Sequence, residues 1–304
     1  MLDRILVPLD TSPVAEQVLP YVRLLAKQLE QPVHLLSVIV DGEALNPLTS
    51  LPDAAIASLM QHRQQYAQKY LDATRARLEA DGIEVTTEVR MGRVADEIAF
   101  SALSQATGLI AMATHGRVGP ERWFLGSASD GVLRTAPCPV LLIRPHEQAA
   151  LQTPSISQVL VPLDGSSSAE QAVPYASFIA KAFKAPALIV RTVPTTWLGT
   201  ADPYTPDTGM SPELLEILET DAKDCVARTA EQLERQGIRT KTHAALGEAA
   251  GTITDFARAT PGTLVVMASH GRTGLGRTLL GSVADRVVRS SAAPVLVVRV
   301  AEPD

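Results

Sequence analysis

Ala113-Thr114-His115-Gly116, nine residues, then Gly126-Ser127: this stretch governs the reading of the chain because it occurs twice. The second copy is Ala268-Ser269-His270-Gly271, nine residues, then Gly281-Ser282. Each copy follows a short apolar run, Gly108 to Ala113 and Thr263 to Ala268, and precedes a helical pattern. A strand, a loop of small residues and a helix start are the parts of an anion cradle, because the first turn of a helix leaves backbone N–H donors unsatisfied. A cradle repeated at equal spacing points to a paired nucleotide-binding module.

Working outward, the repeat extends over most of the chain. Val7-Pro8-Leu9-Asp10, Glu16-Gln17 and Pro20-Tyr21 return 154 positions later as Val161-Pro162-Leu163-Asp164, Glu170-Gln171 and Pro174-Tyr175. Gly82-Ile83, Leu125-Gly126-Ser127, Arg134, Pro139-Val140-Leu141 and Arg144 return at a shift of 155. A repeat of that length is a duplicated domain rather than a solenoid unit. The expected domains are residues 1–146 and 156–304, joined by the polar stretch around His146 to Ser157.

Within each half, apolar runs alternate with helical periods. In the first, strands are expected at Arg4 to Val7, Val33 to Ile39, Ile83 to Val89, Leu109 to Ala113 and Pro139 to Ile143. Helices are expected from Pro13 to about Glu30, within Pro52 to Ala80, over Val94 to Gln105 and over Ser127 to Thr135. Ser12-Pro13 supplies an N-cap and a proline for the first of these. The second half repeats the order from Gln158 to Val300. Strands apolar on both faces and alternating with helices predict an α/β protein of two doubly wound domains, each with a parallel sheet covered on both sides. Such sheets bind ligands beyond the carboxyl ends of their strands.

Composition removes several classes of function. The net charge of −6 and an aromatic content of 4% disfavour a nucleic-acid surface, which needs positive charge and exposed rings. No apolar stretch reaches membrane-span length, and the start of the chain has no basic, cleavable leader. Cys138 and Cys225 form no CxxC pair or disulfide framework, so a reducing cytoplasm is the expected location. No Walker phosphate loop, hydrolase elbow or Cys/His metal cluster is present.

Asp10 and Asp164 end the first strand of each half, at the ligand edge. Two readings stay open for them: a carboxylate contacting a ribose or a phosphate-held metal, or a turn residue bonding the backbone ahead of the helix. For Gly126-Ser127 and Gly281-Ser282 the alternatives are a phosphate cradle and an ordinary serine cap. His115 and His270 are candidates for phosphate contact. Arg117, Arg122, Arg272 and Arg277 lie in the spacers, either near a phosphate tail or as solvated charge.

These residues resemble those of the universal stress protein family in its tandem form, over nearly the whole chain. The nucleotide-binding members carry Gly-x-x-Gly, nine residues, then Gly-Ser/Thr. The match is at Gly116, Gly126 and Ser127, and at Gly271, Gly281 and Ser282, with Ala113 and Ala268 in place of the first glycine. The resemblance implies a five-stranded parallel sheet in order 3-2-1-4-5 and ATP, with or without Mg2+, as ligand. It places the adenine at Pro8, Asp10 and Val38, or at Pro162, Asp164 and Thr192. It places the phosphates on Gly116 with Gly126, Ser127, Ala128 and Ser129, or on Gly271 with Gly281, Ser282, Val283 and Ala284. It also implies association through the last strand, as intramolecular pairing of the two domains or as a homodimer. The first spacer carries Pro120 and Glu121 where the second has Leu275 and Gly276, so the second half is expected to bind more tightly. The loops supply no obvious base, which favours a stress-response or regulatory binder with little turnover. A slow ATPase, an adenylate-handling enzyme of this fold, and an interaction protein without nucleotide are the alternatives.

Overall fold

Consecutive apolar residues without alternation, as in Ile5-Leu6-Val7 and Val295-Leu296-Val297-Val298, suit a strand covered on both faces. The computed structural model describes residues 2–40, 53–114, 125–145, 153–193, 212–270 and 280–300. The chain divides into two compact units, Met1–Ser155 and Ile156–Asp304.

In the first unit the strands are β1 (Ile5–Pro8), β2 (Val33–Ile39), β3 (Val85–Met91), β4 (Leu109–Ala113) and β5 (Val140–Ile143). The helices are α1 (Leu19–Leu29), α2 (Asp53–Glu79), α3 (Val94–Ser104) and α4 (Ser127–Thr135). All strand pairs are parallel and the order is β3-β2-β1-β4-β5. The second unit repeats the plan with β6 (Gln158–Leu163), α5 (Ser167–Glu170), α6 (Val173–Phe183), β7 (Ala187–Val193), α7 (Pro212–Glu234), β8 (Thr240–Leu246), α8 (Ala249–Ala259), β9 (Thr263–Ala268), α9 (Ser282–Ser290) and β10 (Val295–Val298). Its order is β8-β7-β6-β9-β10, again parallel, so each unit has the 3-2-1-4-5 arrangement.

The central strands form the core. Ile5, Leu6, Val7 and Ile110 are fully buried in the first unit, as are Val159, Leu160, Val161 and Val265 in the second. Each such side chain contributes about 1.5–3 kcal/mol. The long helix α2 shows how little apolar surface a covering helix needs. Met60, Ala67, Leu71 and Leu78 form one buried stripe, and the rest of the helix is largely polar and exposed.

The single helix expected from Pro13 to Glu30 is instead a 3-10 turn at Ala15–Val18 followed by α1. Pro20 lacks the N–H that would carry an α-helix through this point, and it sits in the first turn of α1, where that donor is not required. The second unit breaks in the same way between α5 and α6, with Pro174 in the first turn of α6. Among the described residues, no helix is long and apolar enough to cross a membrane.

Candidate functional site

Parallel pairing brings the carboxyl ends of β6, β7 and β9 to one edge of the second sheet, and a cavity of about 390 Å³ opens there. Pro162 and Asp164 line it from the end of β6, Thr192 from β7, and Ala268 and His270 from the end of β9. Gly281, Ser282, Val283 and Ala284 line it from the start of α9. Residues far apart in sequence, expected at one site, thus share one wall-to-wall space. Leu218 on α7, Ile253 on α8 and Met267 on β9 supply its apolar surface. The volume lies in the range of small-molecule pockets.

The mouth of this cavity carries an uncapped helix end. Gly281 is the N-cap of α9, with φ −59° and ψ 147°, and as a glycine it offers no side chain to cap the first turn. Ser282 is therefore the first helical residue rather than a serine cap, and both it and Val283 are exposed. Gly281 N–H donates to Ser269 O at 2.8 Å, which anchors the helix entrance to the end of β9. The first unit is built alike. Gly126 is the uncapped N-cap of α4, its N–H donates to Thr114 O at 2.9 Å, and Ser127 is exposed. Its Ser129 hydroxyl is directed inward, donating to Ala113 O at 3.1 Å and Thr114 O at 3.2 Å, so Ser129 offers the ligand edge its backbone alone. Ala128 follows Ser127 in that first turn and, like Val283 in α9, contributes position rather than a polar side chain. First-turn amides at the positive end of a helix dipole, entered through a glycine that has no capping side chain, favour an anion.

The two aspartates have a turn-forming role. Asp164 Oδ1 accepts from Ser166 N at 2.9 Å and Ser166 Oγ at 2.6 Å, and Ser166 Oγ in turn accepts from Ala169 N at 3.1 Å. Asp10 does the same for Ser12, whose Oγ accepts from Ala15 N at 3.1 Å. This relay turns the chain from strand into helix and fixes the carboxylate at the sheet edge, where Asp164 also lines the cavity. The residue after each aspartate adopts positive φ: Thr11 at 67° and Gly165 at 82°. Glycine suits this conformation and a β-branched residue does not.

Gly165 serves a second purpose. A Cβ there would lie 3.0 Å from the guanidinium carbon of Arg191, a side chain that is buried beside the cavity. Arg191 donates through Nη1 to Asp221 O at 2.9 Å and through Nη2 to Asp221 Oδ2 at 2.5 Å. Its counterpart in the first unit is Ser37, which is buried on β2. Sequence reasoning missed Arg191. Its one signal is an arginine inside the apolar strand run Ala187–Val193.

His270 lines the cavity with Nδ1 3.0 Å from Ser269 Oγ. Burial, and then the charge of Arg299, push its pKa below the ordinary histidine value. Among the described residues no group of three or more His, Cys, Asp or Glu is placed to hold a metal ion. His115, Gly116, Arg117, Arg122, Gly271, Arg272 and Arg277 lie outside the described residues.

Comparison with known proteins agrees with this architecture. The model of the Universal stress protein family matches residues 1–144 and again 156–299. The chain belongs to the universal stress protein family. A universal stress protein of Methanocaldococcus jannaschii is 32% identical over 144 residues, covering 47% of this chain and 81% of the relative. One from Mycolicibacterium smegmatis is 32% identical over 221 residues, 73% of this chain and 71% of the relative. A crystal structure of a universal stress protein from Archaeoglobus fulgidus aligns over 100% of this chain and 98% of its own, with a TM-score of 0.70 at 21% identity, a likeness of fold.

Within this universal stress protein, the alanines that replace the first glycine of the loop pattern are explained by the backbone. Ala113 and Ala268 are the last residues of β4 and β9, and neither has positive φ. A Cβ is compatible with strand geometry, so the substitution leaves the shape of the edge intact.

Proposed function

We propose that this universal stress protein binds ATP, with or without Mg2+, in a cradle at the carboxyl edge of its sheets, and acts as a stress-response or regulatory binder with little turnover. The observation that carries the reading is the second unit's cavity, bounded on one side by the glycine-entered first turn of α9 and on another by the β6 and β7 ends. The apolar wall from Leu218, Ile253 and Met267 suits an aromatic base, and the helix entrance suits a polyphosphate. Ser282, Val283 and Ala284 are the residues whose amides would hold phosphates. Pro162, Asp164 and Thr192 would border the base and sugar. The first unit offers the same edge through Pro8, Asp10, Val38 and the start of α4, at Gly126 to Ser129.

The test is direct. Purified protein is denatured, and the released small molecules are separated by chromatography and quantified against protein. Adenine nucleotide near one or two per chain supports the reading. For protein stripped of ligand, ATP at a hundredfold excess over Kd should stabilise the fold by about 2.7 kcal/mol. No nucleotide released and no thermal shift with ATP would refute it. A steady-state phosphate-release assay separates binding from hydrolysis, and turnover of many per second would favour the enzymatic alternative.

A further inference from the structure

Among the described residues of the second unit, Thr192 carries the buried side-chain oxygen that is left without a partner. It sits near the end of β7, is 9% exposed, and lines the cavity, yet its hydroxyl is buried with no hydrogen-bond partner among the described residues. Its methyl packs toward Gly247, 3.8 Å from where a Cβ on that glycine would stand. The neighbouring strand residues Val190 and Val193 show that an apolar side chain is acceptable in this wall. The corresponding position in the first unit is Val38, which has the same shape without the oxygen. An orphaned buried hydroxyl destabilises the protein that carries it, and an isosteric apolar replacement removes that penalty.

We propose that Thr192 is a specificity-determining residue: its hydroxyl is kept for a ligand and, after a change of χ1, pairs with the polar edge of the base in the second unit. The proposal rests on the nucleotide reading above and deepens it. The base pocket of the second unit selects heteroaromatic rings with a hydrogen-bonding edge, whereas that of the first unit, with Val38, does not. The hydroxyl both donates and accepts, so it complements a ring nitrogen or an exocyclic amino group. A site built to pair with a ligand's polar group rejects ligands lacking it, because the buried partner is then stranded.

The experiment uses the full chain carrying Ser127→Glu, which places a negative charge at the exposed start of α4 and silences the first unit toward phosphates while suiting the helix dipole. ATP is titrated calorimetrically into this parent and into its Thr192→Val and Thr192→Ser derivatives, and each ligand-free protein is melted. Thr192→Val should weaken ATP binding by roughly three- to tenfold, the worth of one neutral hydrogen bond. The same variant should raise the melting temperature of the ligand-free protein, and Thr192→Ser should retain most of the affinity. Affinity falling while stability rises is the signature of a hydroxyl reserved for a ligand. If the parent binds ATP and Thr192→Val binds it equally well, this inference alone is overturned. The same holds if affinity and melting temperature fall together, as a purely structural role requires. A parent that binds no ATP overturns the nucleotide reading itself, and this inference with it.

Discussion

Removing the carboxylate of Asp221 should damage the second unit more than removing the arginine it holds. Arg191 is 3% exposed, whereas the Asp221 side chain is 50% exposed. Asp221→Ala leaves a buried guanidinium with the Asp221 carbonyl, at 2.9 Å, as its remaining partner among the described residues. Stranding a fully buried charge costs about 3–5 kcal/mol, and loss of one charge-assisted hydrogen bond about 1.5–3 kcal/mol. Because the lost carboxylate is half solvated, the lower end applies, about 2–3 kcal/mol. For a unit of this size that is a fall in melting temperature of roughly 4–12 °C. Arg191→Met removes the buried charge, keeps an unbranched stem beside Gly165 and leaves a carboxylate that water can solvate, so its effect should stay within about 1 kcal/mol. The double variant should match Arg191→Met, since the aspartate has nothing left to neutralise. The assay is calorimetric melting of ligand-free protein for all three variants. Arg191→Met as destabilising as Asp221→Ala, or two losses that simply add, would refute the argument that desolvation of the guanidinium sets the asymmetry.

Ser282→Glu should weaken ATP binding to the second unit by at least tenfold with little change in melting temperature. One added charge about 5 Å from a phosphate at an effective dielectric of 20 contributes about 3 kcal/mol of repulsion, while the exposed helix start accepts a carboxylate; titration of Ser127→Glu against Ser127→Glu/Ser282→Glu reads the difference. Gly131→Ala should destabilise the first unit by about 1–2 kcal/mol despite alanine's better helix propensity. The new Cβ would stand 2.7 Å from the Ala95 methyl on the facing helix, and urea unfolding checks this. His270 resists protonation in the folded state, so the unfolded chain binds more protons as pH falls through the ordinary histidine range. Stability should therefore decline as pH falls from above the ordinary histidine value down through the depressed folded value, and His270→Asn should flatten that limb in melts between about pH 8 and pH 5.

The doubly wound parallel plan was legible because the central strands are apolar on both faces and because the repeat supplied each element twice, whereas the order 3-2-1-4-5 rested on the resemblance to the family. Val33 to Ile39 and Leu109 to Ala113 were placed to the residue, since turn residues bound both runs. The end of the first expected helix was right and its start was not, although Pro20 and Pro174 were visible in both copies. A proline inside an apolar helical period reads equally as continuation after a kink or as a new first turn, and the period alone does not choose. At the site, local patterns carried the aspartate turns and the glycine helix entrances. The Arg191 clamp was out of reach because its partner Asp221 lies 30 residues away on α7, a separation at which no local rule operates. The orphaned hydroxyl of Thr192 was equally invisible, since satisfaction is a property of what surrounds a side chain.

The measurement closest to the central claim is a crystal structure of the full chain with a non-hydrolysable ATP analogue. The account predicts phosphate oxygens within about 2.7–3.2 Å of the Ser282, Val283 and Ala284 amides, with the base between the ends of β6 and β7. An analogue whose phosphates lie away from the start of α9, or a cavity that stays empty at saturating concentration, would contradict it.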